Sequence, residues 1–208
     1  GKIFEQKMNK VVLFLHGYGA NGSDLIGLSD HINNDDNSIS FESPNAPESC
    51  PLNYFGYQWF SLADRTPEEI YSGLKISYNY LVKILDDLIV KYNTNHENIV
   101  IIGFSQGAML ASYYGLTSQF KMGGIISLSG ALPKKILDDI SSLNVSQKFF
   151  IFHGKSDSVV PSERSQQLYN FLSLKKIKSN LIIEENCDHE ISIKAIEEIN
   201  NKVKEWLK

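Results

Sequence analysis

From end to end the chain alternates short apolar runs, which read as buried strands, with longer segments whose apolar residues recur at helical spacing. This order constrains the fold more than any other feature. Lys10–His16 and Asn98–Phe104 are continuous and apolar, as strands covered on both faces must be. Gly124–Ser129, Lys148–His153 and Ser179–Glu184 read the same way, and Ser38–Glu42 is a weaker strand. Between them lie expected helices from Ser23 or Asp24 to about His31, from Ser105 to about Leu116, over Ser162–Leu174 and over Ile191–Leu207. The clearest helix opens at Thr66-Pro67-Glu68-Glu69: Thr66 can cap, Pro67 suits the first helical position, and Glu69 completes a capping box. Ile70, Leu74, Tyr78, Leu81, Leu85, Leu88 and Tyr92 follow at steps of three and four and form one apolar face.

Strands separated by helices imply right-handed crossovers, so the expected class is α/β, with a mostly parallel central sheet and helices on both faces. A chain of 208 residues holds one such core, and a single domain over residues 1–208 is expected. In such sheets ligands bind beyond the carboxyl ends of the strands. Three segments of chemical interest sit there: after Leu15, after Phe104 and after Phe152.

Gly103-Phe104-Ser105-Gln106-Gly107 reads G-x-S-x-G. The pattern alone arises by chance in many chains, and a serine helix cap between convenient glycines is the bland reading. Its setting, a buried strand running directly into a helix, is what a nucleophile elbow requires. A tight turn there lifts the serine hydroxyl above the sheet edge, and the helix N-terminus aims unpaired N–H groups at a developing oxyanion.

A serine at its free pKa needs a base, and the base needs an orienting acid. In this arrangement the chain order is Ser, then Asp or Glu, then His. Downstream of Ser105 the histidines are His153 and His189. His153 ends an apolar strand ahead of the expected acid and reads as a packed structural residue. His189 follows the last strand, in a loop before the final helix, and is the expected base. Asp157, in the turn after His153-Gly154, is the expected acid. Asp188 is a rival by adjacency, although a neighbouring carboxylate usually points away from the ring; Asp138 and Asp139 read as a solvated helix face. The oxyanion donors are expected at the backbone N–H groups of Gln106 and Tyr18, the latter in the glycine-rich loop after the first strand. That loop has neither G-x-G-x-x-G nor a Walker lysine, so it does not read as a phosphate cradle. Aromatic residues between Cys50 and Leu62, Trp59 foremost, either wall a substrate pocket or anchor their own loop. Trp59 and Val160 are the candidate substrate contacts.

The formal net charge of −4 is scattered and basic residues cluster only in pairs, which argues against nucleic acid. Two cysteines in unrelated contexts suggest neither a metal site nor a disulfide framework. No apolar stretch is long enough to span a membrane, and Val11–Leu15 is too short for a signal-peptide core, so the cytoplasm is the expected location.

Taken together, these motifs resemble the phospholipase/carboxylesterase family of α/β-hydrolases, which includes acyl-protein thioesterases and small bacterial carboxylesterases. The resemblance rests on Leu15-His16-Gly17-Tyr18-Gly19-Ala20, Pro44-Asn45-Ala46-Pro47, Gln58-Trp59-Phe60, Gly103 to Gly107, Gly154 to Pro161 and His189-Glu190-Ile191. It implies a Ser105–Asp157–His189 triad, backbone donors at Tyr18 and Gln106, and no metal or organic cofactor. The implied substrates are a small ester, a lysolipid or an acylated protein, and the aromatic loop leaves a homodimer open. Two departures stand out: Ala108 replaces a glycine common after the motif, and Asn186-Cys187-Asp188 stands where glycine often precedes the base. Asn and Asp tolerate left-handed backbone, so the turn can still form. A catalytically silent binder of the same fold would need a broken triad, which this chain lacks. A peptidase of the superfamily is the other alternative, but no cap domain or acidic pocket for a peptide amine is evident.

Overall fold

The computed structural model describes residues 8–32 and 38–208. In chain order the elements are β1 (Lys10–Leu15), α1 (Ser23–Ile26), β2 (Ile39–Glu42), β3 (Glu48–Cys50), β4 (Asn53–Gln58), α2 (Pro67–Tyr92), β5 (Ile99–Phe104) and α3 (Gln106–Thr117). They continue through β6 (Gly124–Leu128), α4 (Lys134–Asp139), β7 (Lys148–Gly154), α5 (Glu163–Leu174), β8 (Lys178–Glu184) and α6 (Ile193–Trp206). The main sheet runs β2-β1-β5-β6-β7-β8, and every pairing in it is parallel.

The chain moves outward from β1 to β2 and then returns to place β5 on the other side of β1, so the order reverses between β1 and β5. That reversal opens the crevice in which open α/β sheets hold ligands. Register makes the crevice a common edge: Leu15 pairs with Gly103, Phe104 with Leu128, and Leu128 with Phe152.

Alternation along the strands divides the core in two. Leu13, Leu15, Ile99, Ile101 and Ile151 face α2 and α3, whereas Phe14, Val100, Ile102, Leu128 and Phe152 face α6 and the segment after β1. Burying each such side chain contributes about 1.5–3 kcal/mol. On α2 the buried stripe is Ile70, Leu74, Ser77, Leu81, Leu85 and Leu88. Tyr78 and Tyr92 lie half-buried on its flank, and Ser77 takes the central place because its hydroxyl donates to the carbonyl of Trp59.

Three local expectations need correction. The capping box of α2 is not reciprocal: Thr66 accepts from the Glu69 N–H at 3.1 Å, but Glu69 accepts from the N–H groups of Asp64 and Arg65, at 3.0 and 2.9 Å. Arg65 is left-handed (φ 55°), and the turn at this position accompanies two donors bonded to one carboxylate. The segment Pro44–Arg65, which shows no period in sequence, contains the antiparallel hairpin β3–β4. Its tip exposes Leu52, Tyr54 and Phe55, while Trp59 and Phe60 at its base are buried in the core. The expected helix from Ser23 to His31 is one α-turn continued by a 3-10 segment over Gly27–His31.

Candidate active site

β5 ends against the site with Ser105 in an unfavourable conformation, φ 56° and ψ −113°. Such strain persists where the surroundings enforce it. Its N–H donates to Leu128 O at 2.9 Å, and its carbonyl accepts from the Met109 N–H at 3.1 Å. Absent side chains make the turn geometrically feasible. A Cβ on Gly103 would sit 2.3 Å from Gly107 O, and one on Gly107 only 2.1 Å from Leu15 O. With the serine backbone bonded on both sides, its hydroxyl is left facing the loops beyond β7 and β8.

Those two loops bring His189 and Asp157 to it. His189 Nε2 lies 3.1 Å from Ser105 Oγ, and Nδ1 lies 2.7 Å from Asp157 Oδ2. A carboxylate at Nδ1 places the ring proton there and leaves the Nε2 lone pair toward the hydroxyl. The Phe104 ring, 4.8 Å away centroid to centroid, supports the imidazole. The Asp157 side chain is fully buried, and its Oδ1 accepts from the N–H groups of Val159 and Val160, at 2.8 and 2.7 Å.

Asp188 is not the acid that meets the ring. Its Oδ1 accepts from the N–H groups of Ser158 and His189, both at 2.7 Å, and from the Ser158 hydroxyl at 3.0 Å. These backbone donors hold its carboxyl below the usual range. Asp188 thereby ties the loop carrying Asp157 to the loop carrying His189, as does the Ser156 N–H bonded to Cys187 O at 2.9 Å. The left-handed residue of the second loop is Asn186, φ 56°, where a glycine is common in the family resemblance. Its short polar side chain tolerates that geometry.

His153 is packed and fully buried, but it also touches the site. Nε2 lies 2.8 Å from Val160 O and 3.2 Å from Asp157 Oδ2, and Nδ1 lies 2.6 Å from Ser165 Oγ. A carbonyl only accepts, so Nε2 carries the proton and the serine hydroxyl donates to Nδ1. Burial pushes this imidazole below its ordinary pKa and keeps it neutral.

The loop after β1 is fixed from beneath. His16 is fully buried; its Nδ1 donates to Gly17 O at 2.7 Å and its Nε2 accepts from the Ala46 N–H at 2.9 Å. Burial lowers its pKa as well. Trp59 Nε1 donates to His16 O at 2.8 Å, and the Trp59 N–H donates to Gln106 Oε1 at 2.8 Å. Gln106 Nε2 completes the clamp on Phe60 O at 2.7 Å. Neither the Tyr18 N–H nor the Gln106 N–H meets an acceptor among the described residues. The latter belongs to the first turn of α3, whose N–H groups have no partner within the helix.

Ser105, His189, Tyr18, Gln106 and Val160 line one cavity of about 310 Å³. Trp59 does not line it, which corrects the expectation of a substrate contact: the residue is 1% exposed and its one indole N–H is taken by His16 O. Leu62, Ile70 and Met109 line the cavity without any signal in sequence beyond apolarity, and Arg65 and Arg164 line it with none. Among the described residues, no group of three or more His, Cys, Asp or Glu is placed to hold a metal ion, and no helix is long and apolar enough to cross a membrane. Cys50 and Cys187 are buried thiols; burial, with Glu184 nearby, pushes Cys187 up to about 11.

A parallel sheet with a serine on a strained strand-to-helix turn, facing histidine and aspartate from later loops, defines an α/β-hydrolase. Comparison with known proteins agrees. The phospholipase/carboxylesterase family model matches residues 4–207. Acyl-protein thioesterase 1 homolog 1 of Dictyostelium discoideum is 30% identical, over 89% of this chain and 85% of its own length. Acyl-protein thioesterase 1 of Saccharomyces cerevisiae is 33% identical, over 75% and 74%. Among solved structures, esterase PE8 superposes with a TM-score of 0.86 at 31% identity, covering 96% of this chain and 94% of that one. The Bacillus cereus carboxylesterase shares the fold, with a TM-score of 0.77 at 22% identity over 97% and 92%. The chain belongs to the phospholipase/carboxylesterase family.

Proposed function

We propose that the chain cleaves carboxylic esters and thioesters through an acyl-enzyme intermediate on Ser105. The observation that carries this reading is the position of His189, within hydrogen-bond reach of Ser105 Oγ on one side and Asp157 Oδ2 on the other. Ser105 Oγ attacks the acyl carbonyl as its proton passes to His189 Nε2, and the imidazolium is stabilised by the Asp157 carboxylate. The oxyanion is received by the N–H groups of Tyr18 and Gln106, each contributing about 2–4 kcal/mol in comparable sites. Collapse of the tetrahedral species breaks the bond to the alcohol or thiol, which leaves with the proton from His189. Water then attacks the acyl-Ser105 ester, again deprotonated by His189, and the free acid departs.

Relatives named as thioesterases and a structural neighbour named as an esterase support both leaving groups. The acyl chain is assigned to the cavity beside Ser105, where each buried CH₂ contributes about 0.8 kcal/mol. The test is twofold. A fluorophosphonate should label Ser105, and Ser105→Ala should abolish turnover of short p-nitrophenyl esters while leaving the thermal midpoint unchanged. An unlabelled serine, or a variant as active as the parent, overturns the proposal.

A further inference from the structure

The cavity that holds Ser105 and His189 is lined by two arginines, Arg65 and Arg164, and by no carboxylate. The Asp157 carboxylate is buried beyond the His189 ring. Neither guanidinium forms an ion pair among the described residues. In a chain of net charge −4, two cations at one catalytic cavity run against the overall balance. They come from separate elements: Arg65 from the turn before α2 and Arg164 from the first turn of α5. In this turn the Glu69 Oε1 is taken up by the backbone N–H groups of Asp64 and Arg65. The rest of the lining includes Leu62 and Met109. Both arginines are exposed residues, so their head groups stay open to an incoming anion, whereas a purely hydrocarbon acyl chain and a neutral alcohol offer a guanidinium no charge to pair with.

We infer that the preferred substrate is an ester or thioester that carries an anionic group, carboxylate or phosphate, held in this cavity by Arg65 and Arg164. The planar guanidinium fork pairs with either anion through two parallel N–H bonds. The inference rests on the ester-hydrolase reading above and adds the charge of the substrate to it.

Two matched pairs of esters separate the anion sources. Mono-p-nitrophenyl adipate against p-nitrophenyl hexanoate places a carboxylate at the end of the acyl chain; hexanoyl glycerol phosphate against monohexanoyl glycerol places a phosphate on the alcohol. In at least one pair the anionic ester should exceed its neutral partner in kcat/KM by about tenfold at low salt, and the ratio should shrink as salt screens the charges. The ratio should also fall toward one in Arg65→Gln and Arg164→Gln. Parity in both pairs, or a ratio kept by both variants, overturns the inference. Calorimetric binding of the same pairs to Ser105→Ala gives a readout that does not depend on turnover: tighter binding of the anionic ester supports the anion site, and equal binding overturns it. Were Ser105→Ala to hydrolyse the esters, the nucleophile assignment would fail while the ratio of their KM values still decided the anion site.

Discussion

His153 and His189 meet the same carboxylate oxygen, Oδ2 of Asp157, at 3.2 and 2.7 Å. His189 is partly open to the cavity, whereas His153 is sealed in the core. Only His189 is therefore placed to exchange a proton with the cavity, while His153, its Nε2–H given to Val160 O, holds a fixed place beside the acid.

The shared oxygen makes His153→Leu and His153→Gln informative together. Leucine leaves Val160 O and the Ser165 hydroxyl without their His153 partner, removes a neighbour of Asp157 Oδ2, and should destabilise by about 1–3 kcal/mol. It should lower kcat more than it changes KM, because the aspartate loses a fixed contact. Glutamine can donate to the same acceptors and should recover most of both losses. Denaturant unfolding and steady-state kinetics check this; equal kcat loss in the two variants would argue against positioning.

Burial pushes His16 and His153 below the ordinary histidine pKa. A histidine whose pKa is lower folded than unfolded is protonated first in the unfolded chain as pH falls. Its contribution is therefore complete above about pH 6.5 and is lost as pH drops from there to the folded pKa. Each such histidine steepens the decline by up to about 1.4 kcal/mol per pH unit within that window. Unfolding free energy between pH 7 and pH 5 should show this slope, and His153→Gln should reduce it by one histidine's share. A slope identical in the variant would contradict the assignment.

Trp59→Phe separates scaffold from substrate pocket. The change keeps the aromatic packing but removes the Nε1 donor, leaving His16 O buried without its partner. Stability should fall by about 1–3 kcal/mol. The loop carrying Tyr18 loosens with it, so kcat should drop for every ester while acyl-length preference stays the same. A shift in chain-length preference would return Trp59 to the pocket.

Gly107→Ala tests the turn itself. The added methyl would lie 2.1 Å from Leu15 O and 2.6 Å from His16 O, and both are backbone atoms. Relief requires β1 or the start of α3 to move, so the expected cost is about 3 kcal/mol or more, together with loss of ester turnover. Thermal denaturation and p-nitrophenyl ester kinetics read both effects. Wild-type behaviour in both would mean the crossing is looser than it stands here.

Asp157→Asn should keep the fold and lower kcat by about 10⁴, because an amide favours the wrong imidazole tautomer at His189. Circular dichroism and steady-state kinetics check the two halves; a loss below tenfold would shift the acid role elsewhere.

What could be read without coordinates was what local chemistry decides. Strand runs such as Asn98–Phe104, the Thr66-Pro67 helix start and the Gly103–Gly107 turn each carry their signal within a few residues. The period of apolar residues and the φ freedom of glycine act over that range. The order of Ser105, Asp157 and His189 was legible for the same reason, since each follows the end of a strand. The hairpin within Pro44–Arg65 was not legible, because its strands are short and its pairing carries no alternating pattern.

Tertiary structure alone decided which side chains share space across long separations. Trp59 reads as a pocket aromatic until its indole is seen bonded to His16 O, and His153 reads as a plain core residue until Asp157 Oδ2 lies beside it. Arg65 and Arg164 are far apart in the chain and line one cavity only because the turn before α2 and the first turn of α5 come to the same edge of the sheet. Sequence patterns encode which face of an element is buried; the neighbours that face acquires depend on packing, which no local period records.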